Sequence, residues 1–309
     1  MSHIYIYSPS SAVRDKAAFR RGVKRLKAMG HEVEIDDAAL ASHLRFAGDD
    51  ETRLAAIGRA AASGADVALI SRGGYGLTRI LPALPFKALA RAVERGTHFV
   101  GLSDFTALQM AMLARTGTVS WAGPALGEDF GPEGEPDEIM QACFDDLLGG
   151  VAEGSGWTLP AADAKAHVSQ PERHIRRATL WGGNLNVLCA LAGTPWLPAV
   201  KGGVLFLEDV NEHPYRIERQ LTQLLRAGVL EAQKAVLLGA FTKFKLVPGH
   251  DRGFSLKTVV DWLRTQTRTP VYTGLPFGHV PTKVLLPVGQ SVELAVEGRN
   301  ALIYWGHHR

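Results

Sequence analysis

Cysteine is scarce: Cys143 and Cys189 are the only two in 309 residues. Both fall in helical patterns, so a disulfide framework is excluded as the basis of the fold, and a reduced, cytoplasmic setting is expected. No stretch approaches the ~20 apolar residues that a bilayer-spanning helix needs, which excludes a helical membrane protein. No dense basic run with interleaved aromatics exists, and 34 Lys+Arg face 31 Asp+Glu for a net charge of +3. Nucleic acid is therefore not an expected partner. His250-Asp251 and the His307-His308 tail lack metal-ligand spacing, and neither a metal nor a cofactor is expected. The first residues, Met1-Ser2-His3-Ile4-Tyr5-Ile6-Tyr7-Ser8-Pro9, lack the charged region and long apolar core of a signal peptide and read as a first strand and turn.

What is present is an ordinary globular composition, 46% hydrophobic and 21% charged. The first half alternates short apolar runs with amphipathic stretches. Strands are predicted at Ile4–Tyr7, Glu32–Ile35, Val67–Ile70, Phe99–Leu102 and Val119–Trp121, and helices at Asp15–Met29, Glu51–Ser63, Lys87–Arg95 and Asp104–Arg115. Such alternation predicts an α/β unit with a parallel sheet covered on both faces, and ligands then bind beyond the carboxyl ends of the strands. Residues 1–150 are read as this domain. Residues 151–176 show little periodicity and are read as a linker, leaving 177–309 as a second, mixed α+β domain. In that half, strands are expected at Val204–Leu207, Ala235–Phe241 and Val271–Thr273. Val284–Leu286, Val292–Val296 and Leu302–Tyr304 form a terminal set.

Two strand ends of the first half carry chemistry. Gly101-Leu102-Ser103-Asp104-Phe105-Thr106 follows an apolar run and opens into a helix. A serine there is either a helix N-cap or a nucleophile lifted on a strand-to-helix turn, with the unpaired helix-start amides facing a developing oxyanion. The second end is Ser71-Arg72-Gly73-Gly74-Tyr75-Gly76. As a dinucleotide fingerprint it lacks the third glycine, because position 79 is arginine, and no Walker lysine follows. The favoured reading is a backbone shaped to bring an amide to an oxyanion, with Arg72 and Arg79 as anion anchors. Ser8, Ser10 and Ser11 read as N-cap residues of the first helix.

A serine nucleophile needs a base and a group to orient it. His174, His213, His250 and His279 are available. His279 follows Pro276-Phe277-Gly278, a tight turn after a strand. Glu208 comes directly after the apolar Val204-Leu205-Phe206-Leu207, and Asp209 would point to the opposite side in an extended chain. Ser103, Glu208 and His279 thus stand at three strand ends in the order Ser…Glu…His. That is the order of α/β-hydrolase triads, although Phe105 replaces the second glycine of the usual elbow.

Several separated stretches together resemble the serine LD-carboxypeptidases, a family that includes muramoyl-tetrapeptide carboxypeptidases and microcin C self-immunity peptidases. They are Phe46-Ala47-Gly48-Asp49-Asp50 with Arg53; Arg72-Gly73-Gly74-Tyr75-Gly76 with Arg79; Gly101–Thr106; Trp181-Gly182-Gly183-Asn184-Leu185; Leu207–Arg219; and Gly274–His279 leading to Leu286–Gly289. The resemblance implies Ser103 as nucleophile, His279 as base and Glu208 as its orienter, with the oxyanion held by backbone N–H groups of Asp104 and of Gly73 or Gly74. It implies a Rossmann-like N-terminal domain carrying the serine, a smaller β-rich C-terminal domain carrying Glu208 and His279, and commonly a homodimer. The activity implied is release of terminal D-alanine from murein tetrapeptides, by cutting an L-to-D bond during cytoplasmic peptidoglycan recycling. Departures are Ser8-Pro9-Ser10-Ser11 after the first strand, Leu102 before the serine, and Asp49-Asp50; none touches the triad. Two other readings stand beside this one. The first is a self-immunity peptidase cleaving a peptidyl-nucleotide, and the second a non-catalytic protein using the Gly73–Gly76 loop for anions.

Overall fold

The computed structural model describes residues 1–166 and 172–306. Along the chain run β1 (His3–Tyr7), α1 (Lys16–Ala28), β2 (Glu32–Ile35), α2 (Asp50–Ala62), β3 (Val67–Ile70), α3 (Leu77–Ile80), α4 (Phe86–Glu94), β4 (His98–Gly101), α5 (Thr106–Thr116), β5 (Ser120–Ala122) and α6 (Glu138–Leu148). Then follow β6 (Gly154–Thr158), α7 (Ala161–Ala166), β7 (Glu172–Asn184), α8 (Leu185–Leu191), β8 (Val204–Val210), α9 (Pro214–Arg226), β9 (Ala235–Thr242), α10 (Leu256–Gln266), β10 (Val271–Thr273), β11 (Leu286–Val288), β12 (Ser291–Glu297) and β13 (Asn300–Tyr304).

The described chain divides into two compact units: Met1–Val151 with Gly193–Pro198 and Pro281–Gly289, and Ala152–Ala192 with Ala199–Val280 and Gln290–Arg309. The first holds a six-stranded sheet in the order β11-β5-β4-β3-β1-β2. Within it β1 to β5 are mutually parallel. Val67–Ile70 is buried at every residue, as expected where helices cover both faces of a parallel sheet. Asp15 starts α1 by accepting from the Ala18 N–H at 2.8 Å, and Gly117 ends α5 in the left-handed conformation. The second unit holds a seven-stranded mixed sheet in the order β10-β9-β8-β7-β12-β13-β6. β7 to β10 are parallel, whereas β12, β13 and β6 pair antiparallel. Burial alternates along β12 and β13, so one face of that part is solvated.

Three sequence expectations change. The linker expected over 151–176 contains β6, α7 and the start of β7; Gly154, Ser155 and Gly156 carry too little side chain to show the period of a strand. Residues 167–171 of that stretch, and the His307-His308 tail, lie outside the described residues. The segment near Val284–Leu286 does not join the other terminal strands, because β11 pairs antiparallel with β5 in the first sheet. Finally, the strand expected to stop at Leu207 continues to Val210, so Glu208 lies within β8.

Among the described residues no helix is long and apolar enough to cross a membrane. Nor does any group of three or more His, Cys, Asp or Glu form a metal cluster there.

Candidate active site

In the first unit, β4 ends at Gly101 and Leu102 is extended and buried. Ser103 then takes φ +67°, a left-handed conformation that costs a non-glycine residue about 1 kcal/mol or more. It opens a short 3-10 turn, Ser103–Phe105, that leads into α5. No side chain caps either helical segment, so Ser103 is not the N-cap that one reading allowed.

The glycine loop after β3 packs directly on this turn. A Cβ placed on Gly73 would stand 2.7 Å from Ser103 Cβ and 2.9 Å from its Oγ. Gly74 lies against Ser11 and the Arg72 guanidinium. The three early serines knit these loops rather than cap α1. Ser8 Oγ lies 2.5 Å from Ser71 Oγ, Ser10 Oγ donates to Asp104 at 2.7 Å, and Ser11 Oγ donates to the Tyr75 carbonyl at 3.1 Å. Buried Arg53 donates to the Gly76 carbonyl at 2.8 Å and pairs with Asp50 at 2.6 Å. In the sequence Arg53 stands out only as part of a motif.

Asp104 is buried, and its carboxylate accepts from the Leu77 N–H at 2.8 Å as well as from Ser10. Burial pushes its carboxyl up to about 6, against the opposing pull of the Leu77 N–H, the Ser10 hydroxyl and the Gly76 amide. The two arginines proposed as anion anchors differ. Arg72 stays beside the glycine loop, with Nη1 donating to the Ala12 carbonyl at 3.2 Å. Arg79 is held by Asp50 at 2.7 Å, over the Phe46 ring, and lines a cavity of about 270 Å³ with His43, Asp49 and Asp50.

In the second unit, His279 Nδ1 lies 2.8 Å from Glu208 Oε2. With the proton on Nδ1 donated to the carboxylate, Nε2 keeps its lone pair and can act as a base. Glu208 is fully buried in β8. The β8–β9 register shifts beside it, between Leu207 and Asp209, which leaves Gly239 and Ala240 opposite one residue. Into that irregularity comes the loop before His279: the Ala240 N–H donates to the Phe277 carbonyl at 2.8 Å. Gly278 has φ +138°, and a Cβ there would approach the Ala240 carbonyl to 3.0 Å and Glu208 Cβ to 3.3 Å. A side chain at 278 would hold the imidazole away from its carboxylate.

Asn184, the N-cap of α8, donates through Nδ2 to Glu208 Oε1 at 3.2 Å and to Asp209 Oδ1 at 3.0 Å. The two carboxylates are thus bridged instead of pointing apart as strict alternation expects; the ladder irregularity is the local cause. Asp209 also accepts from the Asn186 and Val210 amides, and burial, with the Glu208 charge adding to it, pushes its carboxyl up to about 6. Two of the other candidate histidines have carboxylate partners of their own. His174 faces Glu293, and His213 caps α9 while facing Asp251.

Comparison with known proteins settles the family. Residues 4–123 match the LD-carboxypeptidase N-terminal domain, and residues 177–294 match the LD-carboxypeptidase C-terminal domain. The chain belongs to the LD-carboxypeptidase family. This family member is 33% identical to the murein tetrapeptide carboxypeptidase of Pseudomonas aeruginosa, over 72% of this chain and 70% of that protein. The crystal structure of muramoyltetrapeptide carboxypeptidase from Oxalobacter formigenes matches with a TM-score of 0.87 and 38% identity, covering 99% of each chain. The microcin C7 self-immunity protein MccF of Escherichia coli is 26% identical over 75% of this chain and 71% of its own. The wild-type apo structure of MccF has a TM-score of 0.84 at 23% identity, a likeness of fold. This chain is accordingly a carboxypeptidase hydrolase.

Proposed function

We propose that this LD-carboxypeptidase releases the terminal D-alanine of murein tetrapeptides by serine acyl transfer, with Ser103 as nucleophile, His279 as general base and Glu208 as its orienter. The observation that carries the reading is Ser103 itself. A serine held left-handed on a strand-to-helix turn, against a glycine that leaves no room for a side chain, is costly for structure alone. His279 Nε2 takes the Ser103 proton while Oγ attacks the carbonyl of the penultimate residue. The oxyanion is held by the Asp104 amide and by an amide of Gly73 or Gly74. His279 then returns the proton to the leaving D-alanine amine, and water hydrolyses the acyl-enzyme by the reverse sequence. Arg72 recognises the free C-terminal carboxylate; the engagement of Arg79 by Asp50 favours Arg72 over Arg79. The family resemblance extends the reading to cytoplasmic peptidoglycan recycling by a homodimer, and light scattering on the purified chain checks the dimer.

Ser103→Ala is expected to keep the fold and abolish D-alanine release from defined murein tetrapeptide. Substantial release by that variant would overturn the serine mechanism. A parallel incubation with a peptidyl-adenylate tests the self-immunity substrate, which the MccF relative at 26% identity supports less well than the two carboxypeptidases support murein. Faster cleavage of the peptidyl-adenylate would replace the substrate reading.

A further inference from the structure

The proposed oxyanion donors come from separate loops, one after β3 and one after β4. An oxyanion gains from both only if their spacing is fixed before the reaction, so something must bind one loop to the other. Asp104 is placed to do so. Its backbone N–H is one proposed donor, and its side chain reaches the end of the loop that carries the other. There the carboxylate accepts the Leu77 N–H at 2.8 Å, with the Gly76 amide adding to the hold. The same oxygen accepts the Ser10 hydroxyl at 2.7 Å, which brings in the loop after β1.

We propose that the Asp104 carboxylate is a positioning residue that sets the spacing between its own amide and the Gly73-Gly74 amides. The idea rests on the serine mechanism above and goes beyond it, because it assigns the side chain of a residue whose backbone alone was in use. Two observations favour positioning over plain structural capping. α3 is a single turn of four residues, too little helix to need a buried ionised cap. The burial that raises the Asp104 carboxyl also makes its charged form a cost to folding at neutral pH, whereas a neutral residue would avoid that cost. Charge is what the geometry uses: one ionised oxygen accepts donors from two loops, and the neutral amide oxygen that would take its place accepts both more weakly.

Asp104→Asn and Ser10→Ala test this with two readouts. One is D-alanine release from murein tetrapeptide. The other is the rate at which a fluorophosphonate modifies Ser103, followed by mass spectrometry and independent of the peptide. A missing oxyanion donor costs roughly 10²–10³-fold and a displaced one less, so Asp104→Asn should lower kcat and the labelling rate by about tenfold or more. KM should stay within about threefold and the melting temperature within a few degrees, a split that a general loss of structure would not give. Ser10→Ala, which leaves the Leu77 contact in place, should shift both rates in the same direction by a smaller factor. Labelling and turnover of Asp104→Asn within about threefold of the parent overturn the proposal. If that variant fails to fold, a folded Ser10→Ala with unchanged rates overturns it equally. A parent protein that is labelled but releases no D-alanine refutes the substrate while the labelling comparison still decides the role of Asp104. A parent that is not labelled at all refutes the serine mechanism and this proposal together.

Discussion

Gly73 is a glycine for reasons of space, since Ser103 Cβ occupies the neighbourhood that a side chain would need. Gly73→Ala pushes either the loop amides or the nucleophile aside by a fraction of an ångström. A full ~1 Å of misplacement in an active site costs about 10²-fold, so D-alanine release should fall by up to that factor, measured as kcat at saturating tetrapeptide. An alanine variant at full rate would show that the loop plays no part in the chemistry. Asp209 gives a second residue-level prediction, in pH. Its carboxyl is raised to about 6 in the folded chain, against about 3.9 for an ordinary aspartate. The native state therefore binds more protons than the unfolded one between those values. The stability that Asp209 contributes is present in full below about pH 4 and is lost as pH rises through about 6. Asp209→Asn removes that dependence, so its melting temperature relative to the parent should improve between about pH 4 and pH 7. A constant difference across the range would refute the shift.

The decisive element is the short segment that follows His279. Pro281–Gly289 belongs to the first unit, although His279 two residues earlier belongs to the second. Thr282 Oγ1 donates to Asp137 at 2.5 Å, buried Lys283 pairs with buried Asp129, and β11 extends the first sheet along β5. Burial pushes the Asp129 carboxyl up, and Lys283 works against that rise. Lys283→Met strands a carboxylate in the interior and should destabilise the chain by about 3–5 kcal/mol, read from denaturant midpoints. Replacing both partners, with Lys283→Met and Asp129→Leu, should recover most of the loss because no buried charge remains. Recovery would fail if the pair were held for its attraction alone. Periodicity predicts a strand here but not its sheet, since a three-residue apolar run fits any open edge.

At the scale of the whole chain, the two units are not consecutive halves. The chain returns to the first unit at Gly193–Pro198 and again at Pro281–Gly289. A fragment ending at Val151 would keep β1 to β5 yet lose the partner of β5, the ammonium against Asp129 and the hydroxyl against Asp137. It should therefore aggregate or bind a hydrophobic dye, unlike the full chain, because an unpaired edge and an uncompensated buried carboxylate are both costly. A monomeric, cooperatively melting fragment would contradict this.

The amino-acid sequence alone determined the local matters. These are the alternation that makes a parallel sheet, the serine at a strand-to-helix junction, the glycines after β3, and a carboxylate and a histidine near strand ends. Each depends on neighbours within a few residues, where spacing and backbone preference act. Tertiary structure decided the rest. It carried β8 past Leu207 so that Glu208 is buried, opened a register shift for the loop of His279, and brought Asn184 from 24 residues away onto two carboxylates. It also turned Ser10 and Asp104, 94 residues apart, into one hydrogen bond, and gave β11 to the first sheet. Such contacts are chosen by the burial of a whole unit, and no window of sequence contains both partners.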